Sequence, residues 1–454
     1  MNLLDANKRL AGLRRRQLLA LPALAWPAQN VMSAAEPSAD ELDQALKALV
    51  EHEQRPLASL SVLVQREGRN VYEAQFGRRY IAPPGGVDLP VTADTLFRMA
   101  SVTKLVVAVA AWRLVDAGRL DLDADIGKIL GYELRHPRYS RTPLTARLLL
   151  THRSGLTDGG DDYLDPHIGL RELLLPGGRS FGKGGSWGAH VPGRFFQYAN
   201  LNFAVLASVM ERAAGQRFDE LMQHWVLMPL GMQGGFDAAR LPPSQLNQVA
   251  TLYRKARADG GRWDPAGPWH AQTDDFKAVP PQPIGGAALA SYMLGSNGAL
   301  FGPQGRLRTR VSDLGRLMAM LVDEGRYQGE PFLRPASARA LLSEEWRFDA
   351  AAANGDTADG AFQAWGVGAQ HFIDRSRPQW GDRLLPQGGV EAWGHLGFAY
   401  GLQSGVIFDP RRRCGVIYAI GGCGANPAVN PGRYSSFALW EEQLLGLLWA
   451  RALG

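Results

Sequence analysis

The chain predicts an α/β fold of the α+β type: a mainly antiparallel sheet built from both chain ends, flanked by helices and interrupted by an inserted all-α block. Three observations point there. Strand-like runs cluster at 60–76 and again at 364–420, whereas apolar residues recur at helical spacing from Ser101 to about Arg240. At 454 residues, 46% hydrophobic and 20% charged, the chain is long enough for a large core and two or three domains. The division that follows is an export segment over 1–35, a sheet domain from 40–100 and 291–454, and a mainly helical domain over 101–290.

Each element has a local cause. Leu42, Leu46, Leu49 and Val50 share one helical face in 41–51. Two β-rich runs, 60–65 and 71–76, flank the turn residues Glu67-Gly68-Arg69-Asn70 and predict a hairpin. Helices are predicted over 101–117, 145–151, 200–214 with a stop at Gly215, and 218–226. The glycine-rich stretch 176–193 and residues 241–290 read as irregular. Ser312-Asp313 caps a helix reaching Gly325, and another follows at 336–342. Strand signals return at 364–373, 394–401, 404–408 and 415–420, and a last helix covers 437–452. No internal repeat is visible.

The first 35 residues stand apart. Lys8, Arg9, Arg14, Arg15 and Arg16 precede the short apolar run Leu18 to Ala25, and small residues at Ala23 and Ala25, or Ser33 and Ala35, frame candidate cleavage sites. The order Arg15-Arg16-Gln17-Leu18-Leu19 resembles a twin-arginine export signal, so a periplasmic or secreted destination in a bacterium is expected. This segment also carries most of the formal charge of +5, so little net charge remains to attract nucleic acid. No other stretch is long and apolar enough to span a bilayer, and no stable membrane insertion is expected after signal removal. Cys414 and Cys423 bracket a strand-like run that holds them too far apart for a disulfide. The nine histidines form no ligand-spaced cluster, so neither a metal nor a cofactor is expected.

The chemistry concentrates at Ser101-Val102-Thr103-Lys104. A hydroxyl and an amine one helical turn apart point at one spot, and a helix start favours developing negative charge. Lys104 is the only charge between Ser101 and Trp112, in a stretch that a core helix would bury. Such a lysine loses its charge readily and becomes a base.

Ser-x-x-Lys, then Tyr198-Ala199-Asn200, then His395-Leu396-Gly397 keep the order of the motif set of serine β-lactamases and penicillin-binding proteins. With the stretches 96–104, 149–156 and 394–398, the chain closely resembles the class C β-lactamase and D,D-peptidase branch of that superfamily over roughly residues 40 to 450. The resemblance implies a β-lactamase/transpeptidase-like fold and a serine hydrolase forming an acyl-enzyme on Ser101. It implies that Lys104 and Tyr198 share the proton, the tyrosine as a base lowered toward neutral pH by the adjacent cation. Asn200 would hold the substrate amide and Lys104, and the backbone N–H groups of Ser101 and Phe398, the latter on an edge strand, would form the oxyanion hole. Gly397 would let that strand approach the substrate.

His395 stands where lactamase members usually carry lysine. An imidazole of ordinary pKa near 6.5 is half charged at that pH and largely neutral a unit above, so weak, pH-dependent carboxylate recognition is expected. Esters or D-amino-acid peptides, as small-molecule or short-peptide substrates, are therefore favoured over penicillins. The alternatives are a β-lactamase or a non-catalytic relative that binds peptidoglycan fragments or a partner protein. Two further residues compete for notice. Ser186 satisfies Gly-x-Ser-x-Gly but lacks the strand and helix that a nucleophile elbow needs, and His152 reads as a structural cap in the turn after a helix.

Overall fold

Ser38 accepts a hydrogen bond from the Glu41 N–H while Glu41 reaches back to the Ser38 N–H, and this reciprocal cap starts helix α1 (Ala39–Val50). The computed structural model describes residues 38–159, 168–182 and 185–454. The predicted export segment lies outside them. After α1 the hairpin forms as expected, β1 (Ser59–Arg66) and β2 (Arg69–Tyr80) turning at Glu67-Gly68, both with positive φ. A short strand β3 (Leu89–Pro90) pairs on the far side of β2.

The remaining strands of the main sheet come from the last quarter of the chain: β4 (Trp346–Arg347), β5 (Ala364–Trp365), β6 (Gln370–Phe372), β7 (Ala392–Ala399), β8 (Leu402–Asp409) and β9 (Cys414–Ile420). The sheet has nine strands in the order β4-β5-β6-β7-β8-β9-β1-β2-β3, and every pairing is antiparallel. The join between chain ends is β1 on β9, with Leu63 opposite Ile417. The predicted assembly of one sheet from both ends is therefore found.

Both faces of this sheet are covered, which explains why β8 and β9 are buried along their whole length. On one face Val62, Val64, Val416, Tyr418 and Ile420 pack with α1 and the C-terminal helix α5 (Leu439–Leu453). On the other, Leu63, Val406, Ile417 and Ala419 pack with α4 (Val311–Val322) and, through a continuous cluster, with helices α2 (Thr103–Asp116) and α3 (Asn200–Ala214). From Leu105 to Trp112 helix α2 is apolar all round because it is buried on all sides, and α3 stops at Gly215 with φ +66°, as its sequence requires.

Three expectations need correction. Residues 241–290 are not wholly irregular: strands Leu252–Lys255 and Trp269–Thr273 form a small sheet with Gly422–Cys423, a partner about 170 residues away that local periodicity cannot reveal. The single run expected over 364–373 is two strands, because the chain turns at Gly366–Ala369, where Gly368 rests against Ala108 of α2. That turn also delays the start of β6 to Gln370, opposite Gly394. Strand β7 is thus interior to the sheet rather than an edge, yet only Ala392, Trp393 and Gly394 pair with β6, and the stretch 395–399 is open on that side. Cys414 and Cys423 are both buried free thiols, and no helix among the described residues is long and apolar enough to cross a membrane.

Candidate active site

The turn that carries Ser101 is strained. Ala100 holds φ +43°, a left-handed conformation that costs a non-glycine residue roughly 1–2 kcal/mol. Ala100–Val102 form a 3₁₀ turn, and α2 begins only at Thr103, two residues later than the sequence predicts. The tighter turn is fastened by the Met99 N–H to Leu307 O and by the Ser404 hydroxyl of β8 to Met99 O at 2.9 Å. Over-determination by neighbours is what allows such strain to persist.

Lys104 is fully buried, and its ammonium nitrogen makes three contacts: Ser101 Oγ at 2.9 Å, Asn200 Oδ1 at 2.8 Å and the backbone carbonyl of Gln304 at 2.8 Å. Burial pushes its pKa down to about 7, while the carboxylate of Asp158 opposes the shift. The amine is therefore half neutral near physiological pH. Its charged form also faces the Tyr198 ring, with Nζ 4.9 Å from the centroid.

Tyr198 precedes α3 and is hydrogen-bonded to the Ser101 hydroxyl. Its ring lies in a stack, 4.4 Å from His152 on one side and 4.9 Å from Phe362 on the other. Contrary to expectation, its pKa is raised: burial dominates, and the Ser101 hydrogen bond offsets only part of it. Lysine fails to lower it because the amine lies over the ring face and has itself lost half its charge. His152 is buried with φ +53°, and its Nδ1 accepts from the Ala199 N–H and from Asn202 Nδ2, so it seats the tyrosine and the head of α3. Burial keeps it neutral.

Residues 42–432 match the family model described as Beta-lactamase. The chain belongs to the beta-lactamase family. Esterase EstB of Burkholderia gladioli is 34% identical over 216 residues, 43% of this chain and 50% of that protein. The D-alanyl-D-alanine-carboxypeptidase/endopeptidase AmpH of Escherichia coli is 29% identical over 178 residues, 36% of this chain and 42% of its own length. The chain thus spans about half the length of the curated relatives it matches. Among solved structures, EstCE1, described as a hydrolase with promiscuous acyltransferase activity, superposes with TM-score 0.61 at 20% identity, covering 91% of this chain and 99% of its own, which is a likeness of fold.

Within this beta-lactamase-family scaffold, His395 departs from expectation. It is buried, its Nδ1 lies 2.6 Å from Leu396 O, and burial together with the Lys104 charge pushes its pKa down to about 3. The half-charged imidazole expected near pH 6.5 does not exist, because water cannot reach the ring and a second cation is already beside it.

Gly397 also acts differently. A Cβ there would meet Ser404 Oγ at 2.4 Å, Met99 O at 2.6 Å and Ser101 N at 3.1 Å. The missing side chain thus lets β7 lie against the turn bearing Ser101, and keeps the Ser101 N–H uncovered. Phe398 follows with its side chain exposed, in the part of β7 that no neighbouring strand covers. Asn200 holds Lys104 as expected, but its Nδ2 already donates to Asp158 Oδ2 at 2.8 Å, so the amide is only partly free for substrate.

Ser186 is not among the hydrogen-bond partners of Lys104. The Ser186 carbonyl accepts from the Thr157 N–H, and the residue lines a small cavity with His136, Phe181 and Trp187, with no helix before Asn200. Sequence reasoning missed Asp158, whose role depends on a helix starting 42 residues later, and Gln304, which acts through its backbone and leaves no side-chain signal.

Proposed function

We propose that the protein is an exported serine hydrolase that cleaves esters, and D-amino-acid amides or peptides, through an acyl-enzyme on Ser101. The observation that carries this reading is the set of partners around Lys104. A neutral amine has two hydrogens and one lone pair. Asn200 Oδ1 and Gln304 O can only accept, so they take the hydrogens, and the lone pair faces the one partner able to donate, the Ser101 hydroxyl.

Ser101 Oγ attacks the carbonyl as Lys104 takes its proton, and the Ser101 and Phe398 N–H groups receive the oxyanion. Tyr198, protonated at neutral pH and bonded to Ser101, hands a proton to the departing alkoxide or amine and is refilled from the Lys104 ammonium. Water then attacks the acyl-enzyme by the reverse route. A neutral His395 gives no cation for a substrate carboxylate, which supports esters and disfavours β-lactams that bring one. The match to an esterase and to a D-alanyl-D-alanine carboxypeptidase supports the same substrate classes. Export to the periplasm or beyond rests on the basic and apolar segment at residues 8–25 and is read by cell fractionation.

The test is labelling with a fluorophosphonate followed by mass spectrometry, with p-nitrophenyl esters, D-alanyl dipeptides and a chromogenic cephalosporin assayed side by side. Label on Ser101, lost in Ser101→Ala, is expected. Label on Ser186, or undiminished label in Ser101→Ala, would overturn the reading.

A further inference from the structure

The loop that follows the Thr151-His152-Arg153-Ser154-Gly155-Leu156 run places a carboxylate against the head of α3. Ala199, the residue before that helix, supplies no side-chain cap. Asp158 does so from 42 residues earlier: Oδ2 accepts from the Asn200 N–H at 2.9 Å, and Oδ1 from the Leu201 N–H at 2.9 Å. A cap needs nothing more. Yet Oδ2 also accepts from the Asn200 side-chain Nδ2 at 2.8 Å, and that third bond decides which way the amide points.

We infer that Asp158 is a positioning residue for the hydrolysis proposed above: its carboxylate fixes the Asn200 amide so that Oδ1 faces Lys104, and it supplies the negative charge that faces the amine. The inference rests on the Ser101 reading. A carboxylate only accepts, so the NH₂ of Asn200 must face it and the carbonyl is left for Lys104 Nζ at 2.8 Å. The reversed amide would aim N–H groups at the amine and leave its lone pair without a unique partner. Among the described residues, the other titratable groups packed around Lys104 carry no charge near neutral pH: His152 and His395 are held neutral by burial, Tyr198 is a protonated phenol, and Ser101 is a hydroxyl. Burial pushes the Asp158 pKa up, and the three N–H bonds with Lys104 pull it back, so the carboxylate and the amine are balanced against one another.

Asp158→Asn and Asp158→Ser test this; serine keeps a capping oxygen without a charge. Both are compared with the full-length wild type by thermal melt, by fluorophosphonate labelling, and by kcat/KM for p-nitrophenyl butyrate from pH 5 to 9. Removing the negative charge makes the ammonium less stable, so the acidic limb of the profile should move down by about one pH unit. The plateau above pH 8 should fall roughly tenfold or more as Asn200 loses its orientation. A folded neutral variant with an unmoved acidic limb would overturn the assignment, leaving Asp158 a helix cap alone, as would failure of both variants to fold. Absence of label on wild-type Ser101 would instead sink the hydrolase reading beneath it, so the two failures are told apart.

Discussion

Gly397 and Ser101, almost three hundred residues apart in the chain, approach so closely that a Cβ on the glycine would lie 3.1 Å from the serine's backbone nitrogen. In the mechanism proposed above, that nitrogen carries the N–H that receives the oxyanion. A methyl group at 397 would therefore cover a catalytic donor while also pressing on Met99 O and Ser404 Oγ. Gly397→Ala should lower kcat for ester hydrolysis by at least the roughly 10²–10³-fold that follows loss of one oxyanion donor. Steady-state kinetics with a melt control checks it; unchanged kcat in a folded variant would contradict the geometry.

The Lys104 pKa near 7 sets a pH dependence with a defined sign. If Lys104 is the base proposed above, acylation needs the neutral amine, and kcat/KM should fall as pH drops through about 7 and level off above it. Lys104→Ala should lose on the order of a thousandfold and flatten that limb. A wild-type profile flat from pH 5 to 8 would refute the base assignment.

Tyr198→Phe should affect substrates unequally. Its hydroxyl is needed where the leaving alkoxide is a strong base, so ethyl esters should lose roughly 10²-fold or more in kcat, and nitrophenyl esters, whose leaving group needs no proton, far less. Equal losses on both would remove the tyrosine from that step.

His395, neutral down to about pH 3, cannot act as a charge switch. The ratio of kcat/KM for a neutral ester to that for its carboxylate-bearing analogue should favour the neutral ester and stay constant from pH 5 to 8. A ratio that changes sharply near pH 6.5 would restore the ordinary imidazole that the sequence led us to expect.

The residues that can be read in a line were legible. Ser101 and Lys104 lie within one turn, so helical spacing alone places their heads together, and a lone charge in an apolar helix already points to a perturbed amine. Alternation and turn residues likewise marked β1, β2 and the C-terminal strands, and their separation by helical sequence implied a sheet closed from both ends. What tertiary structure decided is the sign and direction of each effect. Desolvation depends on everything packed around a group, so the neutrality of His395 and the raised Tyr198 appear only once Trp365, His152 and Phe362 surround them. Contacts across hundreds of residues made Gly397 the guardian of the Ser101 N–H and Asp158 the cap of a helix it does not belong to. A sequence records which groups are present, whereas pKa and hydrogen-bond direction belong to the dielectric and the neighbours that folding supplies.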